Sequence, residues 1–317
     1  MNDTNKVEIL RQLAITKQLN FLIGSGASVP AIPLMSQCSN NTDLVKVIRD
    51  KSNLLLESDD KLSKNDDIRI VLGTYEKLIY AISDVLNLSN SRQTPKEANI
   101  FTTNYDLFIE KAVDKILGHT PLVFNDGARG YFSRYLDSSN FNRMVAYKGL
   151  NNNYVDELPS LTLIKPHGSV NWEKDVNERV IIKNKVVDNP VVVPPTGYEG
   201  QDTFLNNHFH DMLRVFQLEL DKPESVLFVL GFSFQDDHIA RMIRRALENR
   251  RLMIECFCWS DDDKEEYLKN LKYNNRPPKN LKFITPSELG KKHLGLNDLG
   301  DILLGDSNDD LAEIPLL

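Results

Sequence analysis

Leu19-Asn20-Phe21-Leu22-Ile23-Gly24-Ser25-Gly26-Ala27-Ser28-Val29-Pro30 is the stretch whose reading decides the fold class. The apolar run Phe21 to Ile23 stops abruptly at Gly24-Ser25-Gly26-Ala27-Ser28, the order expected where a buried parallel strand ends in a tight turn. Two glycines let the backbone bend sharply and approach a ligand closely, and a helix starting just beyond them would point free N–H groups at a phosphate. That is the outline of a nucleotide site. It is equally the outline of an ordinary strand-to-loop turn, because the dinucleotide fingerprint wants three spaced glycines and an immediate helix, and Pro30 and Pro33 interrupt here. The phosphate loop of ATPases is absent, since no Gly-Lys-Ser/Thr follows.

Outward from this turn the pattern repeats. Residues 7–19 have helix-like apolar spacing (Val7, Leu10, Leu13, Ala14) and lead into the strand. Beyond Pro33 come a polar loop, a short helix over 43–52 and a strongly polar stretch, 58–67, read as a mobile surface segment. A long helix is expected over 67–87 from Ile70, Leu72, Tyr75, Leu78, Ile79, Ile82 and Val85. Residues 36–95 thus form a helical insertion near the glycine loop, either a lid or plain scaffolding. Further short apolar runs follow at Asn99 to Thr103, Leu122 to Phe124, Leu161 to Ile164, Val191 to Val193, Val226 to Leu230, Leu252 to Cys258 and Leu281 to Ile284. Helices are expected after Asp106 to about Ile116, over 202–220, and from Asp237 to about Asn249. Continuous apolar strands alternating with helices predict an α/β fold with a doubly wound parallel sheet, Rossmann-like, in one domain over 1–300. An acidic tail with scattered leucines (Leu303, Leu304, Leu311, Ile314, Leu316, Leu317) completes the chain over 301–317.

Bulk properties narrow the class. With 41% hydrophobic residues in 317, the chain can bury a large core, and nothing in it resembles a linker between independent halves. The 45 acidic against 38 basic side chains give a net charge of −7, which argues against wholesale nucleic-acid binding. Residues 1–18 carry scattered charges where a signal peptide would show a basic start and an apolar run. No apolar stretch approaches the roughly 20 residues that cross a bilayer. Three cysteines, Cys38, Cys256 and Cys258, form neither an even set nor a zinc-ribbon spacing, so no metal is expected and a reduced cytoplasm fits.

Ligands of open parallel sheets bind outside the C-terminal strand ends, which directs attention to the polar tips. Thr103-Asn104-Tyr105-Asp106 places Asn104 and Asp106 at one such end, with capping of the next helix as the competing role for Asn104. Lys165-Pro166-His167-Gly168-Ser169 places His167 beside a glycine at another, where a general base and a structural histidine are both open readings. Gly231-Phe232-Ser233 repeats the glycine and hydroxyl at a third, ahead of a helix whose Arg241, Arg244 and Arg245 read as a solvated end, with contact to a partner or nucleic acid as the alternative.

Taken in order, four short motifs resemble the sirtuin family of NAD-consuming enzymes, and more closely its bacterial sirtuin-like branch found in anti-phage defence proteins. They are Gly24-Ser25-Gly26-Ala27-Ser28 with Ile32-Pro33; Thr103-Asn104-Tyr105-Asp106; Lys165-Pro166-His167-Gly168-Ser169 with Trp172; and Gly231-Phe232-Ser233-Phe234 with Asp237 and His238. The resemblance implies that Gly24, Ser25, Gly26 and Ser28 hold the pyrophosphate of NAD. By the same resemblance Asn104 binds the nicotinamide ribose or the attacking water, Thr103 and Asp106 lie at the cofactor with Asp106 on the carboxamide, and His167 is the general base. Gly231 and Ser233 would line the adenosine side and Asp261 the adenine ribose. Two departures stand out. The four-cysteine zinc module of sirtuin deacylases is missing, and Leu34-Met35-Ser36 stands where they carry Asp-Phe-Arg, with Arg129 as a loose substitute. The resemblance therefore points to an NAD glycohydrolase, an NAD-depleting effector of anti-phage defence. The alternatives are a non-catalytic NAD or ADP-ribose module and an ADP-ribosyltransferase. It also implies a homo-oligomer working with a HerA-type ATPase or a short Argonaute.

Overall fold

The computed structural model describes residues 3–38, 41–62, 64–88, 95–147, 157–193, 207–273 and 276–305. The glycine-loop strand, β1 (Gln18–Ile23), is buried along its whole length. It lies in a seven-stranded, wholly parallel sheet with β2 (Glu97–Thr102), β3 (Val123–Asn125), β6 (Ser160–Ile164), β9 (Ser225–Leu230), β10 (Met253–Phe257) and β11 (Leu281–Ile284), in the order β11-β10-β9-β1-β2-β6-β3. The fold is α/β, doubly wound and Rossmann-like, as the strand pattern predicts. The chain runs one way from β1 through β2 to β6 and β3, then restarts on the other side with β9. The switch point therefore falls between β1 and β9, where such sheets open a crevice.

The strands read as continuous apolar runs because alternate residues serve two cores. Leu19, Phe21 and Ile23, with Ile100, Leu163, Phe228 and Leu230, face one. Leu22, Phe101, Ile164, Leu227 and Val229 face the other. On the first side pack α1 (Asp3–Thr16), α4 (Asp66–Leu88), α5 (Phe108–Ile116) and α9 (Leu296–Leu304); on the second, α6 (Asn207–Asp221), α7 (Asp237–Ala246) and α8 (Asp263–Asn270). Each fully buried large apolar side chain contributes roughly 1.5–3 kcal/mol, and Phe21 stacked on Phe228 at 5.7 Å is one such pair. Among the described residues, no helix is long and apolar enough to cross a membrane.

The long helix expected over 67–87 is present as α4, and its stripe Ile68, Val71, Leu72, Tyr75, Leu78, Ile79, Ile82 and Val85 is central to the first core, so of the two readings, lid or scaffolding, this half of the insertion takes the second. Other expectations are corrected. The surface segment over 58–67 contains a helical turn, α3 (Asp59–Leu62), whose Leu62 is buried, because one apolar side chain suffices to anchor a turn. The tail does not begin at 301: α9 packs on α4 with Leu303 and Leu304 buried, while Leu311, Ile314, Leu316 and Leu317 lie outside the described residues. The run Val191 to Val193 joins no sheet and makes a single bridge, Gly168 with Val192; Pro194 to Thr196 and 202–206 lie outside the described residues. A second, antiparallel sheet went unanticipated. It comprises β4 (Ala128–Arg129), β5 (Arg134–Leu136), β7 (Trp172–Lys174) and β8 (Val180–Ile182), in the order β4-β5-β8-β7, and strands of two or three residues are too short to show a period.

Candidate active site at the switch point

The C-terminal ends of β1, β9, β2 and β6 lie side by side, since Ile23 pairs with both Thr102 and Leu230, and Phe101 with Ile164. Each strand is followed by one of the polar tips. At the centre the β1 and β9 tips touch through backbone. Gly24 N donates to Leu230 O at 2.9 Å, and Gly26 N to Gly231 O at 3.0 Å. A Cβ on Gly24 would meet Gly231 O at 2.4 Å, and one on Gly231, whose φ is 61°, would meet Ala27 N at 2.4 Å. Only glycine permits so close an approach. The segment after Gly24 is a single 3-10 turn, Ser25–Ser28, capped by no side chain. The long helix that would lend its dipole to a phosphate does not follow this turn.

A cavity of about 600 Å³ opens over these tips, within the usual size for small-molecule sites. Of the sequence-predicted residues, Ser25, Ser28, Thr103, Asn104, Asp106, His167, Gly231 and Ser233 line it, and Gly24 and Gly26 brace Gly231 from behind. Asp261 does not reach the cavity wall; its carboxylate accepts from the Ser287 N–H and hydroxyl at 3.2 and 2.8 Å. Arg129 belongs to the second sheet, where it faces Asp137 at 3.3 Å in solvent, and so cannot close the pocket. The insertion does contribute, through Met35 and through Leu44 and Ile48 of α2 (Asn41–Leu55), which form an apolar wall. Another concavity, about 630 Å³, lies between β7 and residues 185–192; the strand-end cavity is favoured as the site because glycine turns and buried polar groups converge there.

Asn104 is not a helix cap. Its Nδ2 donates to Gly24 O at 3.0 Å, its N–H to Thr102 Oγ1 at 3.1 Å, and Oδ1 is buried with no hydrogen-bond partner. Asp106 holds the start of α5 instead, its Oδ1 accepting from Phe108 N at 3.2 Å while Oδ2 accepts from Ser28 Oγ at 3.0 Å. Ser28 Oγ also lies 3.0 Å from Tyr75 OH, which α4 delivers from the core. Burial pushes the Asp106 carboxyl above its ordinary range, against the pull of the Lys165 charge. Lys165 underpins the site: Nζ donates to Asp106 O at 2.5 Å, Glu110 Oε1 at 2.9 Å and Ser169 Oγ at 2.9 Å.

His167 is set by its turn. Gly168, at φ 87°, lies against Val191 O where a Cβ would come within 2.0 Å, and Val193 N donates to His167 O at 2.8 Å. The residue is 5% exposed, and burial lowers its pKa to about 4, with Asp236 opposing and His238 assisting. His167 is thus a neutral imidazole at neutral pH. Its Nε2 stands 3.3 Å from Asp236 Oδ2 and 3.3 Å from His238 Nε2. Asp236 caps α7, accepting from His238 N at 3.2 Å and Ile239 N at 3.5 Å, and its Oδ1 also pairs with His238 Nδ1. Burial works to raise the Asp236 carboxyl, but the His238 hydrogen bond and the two imidazoles hold it low. Sequence reading missed Tyr75 and Asp236. An Asp at an N-cap followed by His two residues later was the available signal for the second; Tyr75 carried none, being one apolar position of a stripe.

The fold and site define a doubly wound α/β protein whose ligand cavity sits at its topological switch point, walled by two touching glycine turns and a buried Asn and His. The model of the SIR2-like domain family matches residues 98–277, more than half of the chain, and the chain belongs to that family. No curated protein matches it. Among solved structures it is similar to one described as the crystal structure of a Sir2 homolog–NAD complex, at 13% identity and a TM-score of 0.45, covering 96% of this chain and 94% of that one.

Proposed function

We propose that the protein is an NAD glycohydrolase, cleaving NAD to nicotinamide and ADP-ribose. The observation that carries this reading is the pairing, in one cavity beside the glycine cradle, of an unpartnered Asn104 Oδ1 with a neutral His167. An orphaned buried acceptor is costly, about 1–3 kcal/mol, unless a ligand supplies the donor, and a ribose hydroxyl or a water does so. At Gly24, Gly26 and Gly231 a Cβ would meet the facing turn's backbone, so only glycines let the two turns close together and hold Ser25, Gly231 and Ser233 on the cavity wall, where the pyrophosphate would lie. Both features fit NAD.

The nicotinamide leaving group is already a pyridinium, so the electron pair of the breaking N-glycosidic bond neutralises it and no strong acid is needed. The protein's part is to position and to take a proton. Asn104 Oδ1 orients the water that adds to the ribose carbon. With Nε2–H directed to Asp236 Oδ2, His167 holds its lone pair on Nδ1 and accepts the proton the water loses, and Asp236 stabilises the resulting imidazolium, a triad-like division of labour. The chain's three cysteines do not make a four-cysteine zinc module, which disfavours peptide deacylation. In the cell, such an activity suits an NAD-depleting defence effector, restrained until triggered.

Incubating the pure chain with NAD and weighing the products by mass spectrometry tests the assignment. Release of nicotinamide and ADP-ribose is expected. His167→Ala and Asn104→Ala should each lower kcat at least about 10²-fold with unchanged circular dichroism. Normal turnover in either folded variant would remove the assignment; intact NAD with saturable binding would leave a regulatory module, and ADP-ribose on a protein would make it a transferase.

A further inference from the structure

We infer that His167, His238 and Asp236 form a binding site for a divalent late-transition-metal cation, zinc the representative case, and that its occupancy shuts the cavity's base off. The gating half rests on the function proposed above; the binding half does not. One donor atom from each of the three residues can be chosen so that all lie within 4.8 Å of one another. His167 Nε2 is 3.3 Å from both His238 Nε2 and Asp236 Oδ2. For ligands about 2.0–2.1 Å from a tetrahedral ion, the ligand–ligand edge is about 3.3–3.4 Å, so two edges of such a site are already in place.

The protonation pattern points the same way. With His238 Nδ1–H directed to Asp236 Oδ1, His238 Nε2 is left as a lone pair aimed at His167 Nε2. Two facing imidazole nitrogens need something electrophilic between them, either a proton on His167 Nε2 or a cation. For Asp236 to join an ion held on His238 Nε2 its carboxylate must leave His238 Nδ1, so binding exchanges that hydrogen bond for a ligand bond. The three side chains are held from different elements, Asp236 by capping α7, His238 by the first turn of that helix and His167 by the Gly168 turn. All three line the cavity, so a fourth coordination position faces a ligand or water. Two imidazoles with one carboxylate suit zinc, nickel or copper and disfavour magnesium and calcium. The cysteine count, which argues against a zinc ribbon, says nothing about this set.

The two states exclude each other at one atom. Bound to the cation, His167 Nε2 gives up its proton and the ring carries hydrogen on Nδ1, leaving no lone pair to receive a proton from water. With the cation gone, hydrogen returns to Nε2 and Nδ1 is the base.

The test uses the full chain stripped with a chelator, then titrated with zinc chloride against a chromophoric zinc indicator. One tight site per chain is expected, weakened at least about 10-fold in His238→Ala and in Asp236→Asn, each of which removes a ligand, with zinc-edge absorption showing two imidazole ligands. A His208→Ala, His210→Ala double variant should bind as the wild type, which separates the site from the histidines of α6. No stoichiometric binding, or binding unchanged in His238→Ala, overturns the site. Zinc added to the wild type should suppress NAD cleavage and a chelator should restore it; zinc bound without effect on turnover overturns the gating. A chain that binds zinc and never cleaves NAD keeps the site and sinks the function, and one that cleaves NAD without binding zinc does the reverse.

Discussion

Gly231 and Gly73 are both glycines, and their surroundings call for opposite outcomes on substitution by alanine. At Gly231 a Cβ would sit 2.4 Å from Ala27 N, on a backbone with φ 61°, so the β1 and β9 turns must part. Gly231→Ala should lower stability by about 1–3 kcal/mol in urea unfolding and abolish NAD binding by calorimetry. Gly73 lies within α4 with nothing near its Cβ position, so Gly73→Ala should raise stability by about 0.5–1 kcal/mol through helix propensity alone. Asn104, Asp106 and His167 were legible because each follows an apolar run and breaks it with a polar tip. Asp261 follows the same rule at the end of β10 and failed, because its strand lies two places from β1 across the sheet, beyond the crevice, and Ser287 occupies the carboxylate.

At the scale of elements, α9 decides where the domain ends. Its Leu299 and Leu303 are fully buried against α4, although the sequence around them is acidic and reads as a tail. Leu303→Ala should destabilise the whole domain by about 2–4 kcal/mol; loss of only local helicity, with an unchanged unfolding midpoint, would show α9 to be peripheral. Helix α7 joins stability to the site, since its N-cap is Asp236. Asp236→Ala removes the cap at about 1 kcal/mol and also releases both imidazoles, so its effect on NAD turnover should far exceed its effect on the melting temperature. The arginine-rich face of α7 reads from sequence as solvated. Arg241 is indeed mostly exposed, yet it stands at the cavity mouth paired with Asp237, which Lys272 also holds at 2.8 Å, and these contacts depress the Asp237 carboxyl to about 2.

At the scale of the molecule, acid should destabilise the fold. His208 Nε2 is buried without a partner, and burial together with the Lys174 charge lowers the His208 pKa from 6.5 to about 4, against Asp211. Above pH 6.5 the ring is neutral in both states. Between 6.5 and about 4 the unfolded chain binds a proton that the folded chain refuses, so this contribution falls as pH falls. His208→Gln should therefore flatten the stability-against-pH curve across that window by about 2 kcal/mol after allowance for solvent screening, measured as the difference from wild type in urea unfolding; parallel curves would refute it. The assembly implied by the family resemblance is tested by light scattering, where a homo-oligomer is expected and a micromolar monomer with full activity would defeat it. The sequence alone determined the parallel α/β class, the seven apolar strands and the helices that carry it, and the main candidate side chains. These are local signals: a strand buried on both faces must be a continuous apolar run, and a turn that brings backbone against backbone must be glycine. Tertiary structure alone decided the strand order, the small antiparallel sheet, the burial of α9 and the meeting of His167 with Asp236 and His238. Those depend on which distant segments become neighbours, and pairing across 71 residues of chain, as between His167 and His238, leaves no periodic trace in either segment because it is fixed only when both cores close on the same sheet.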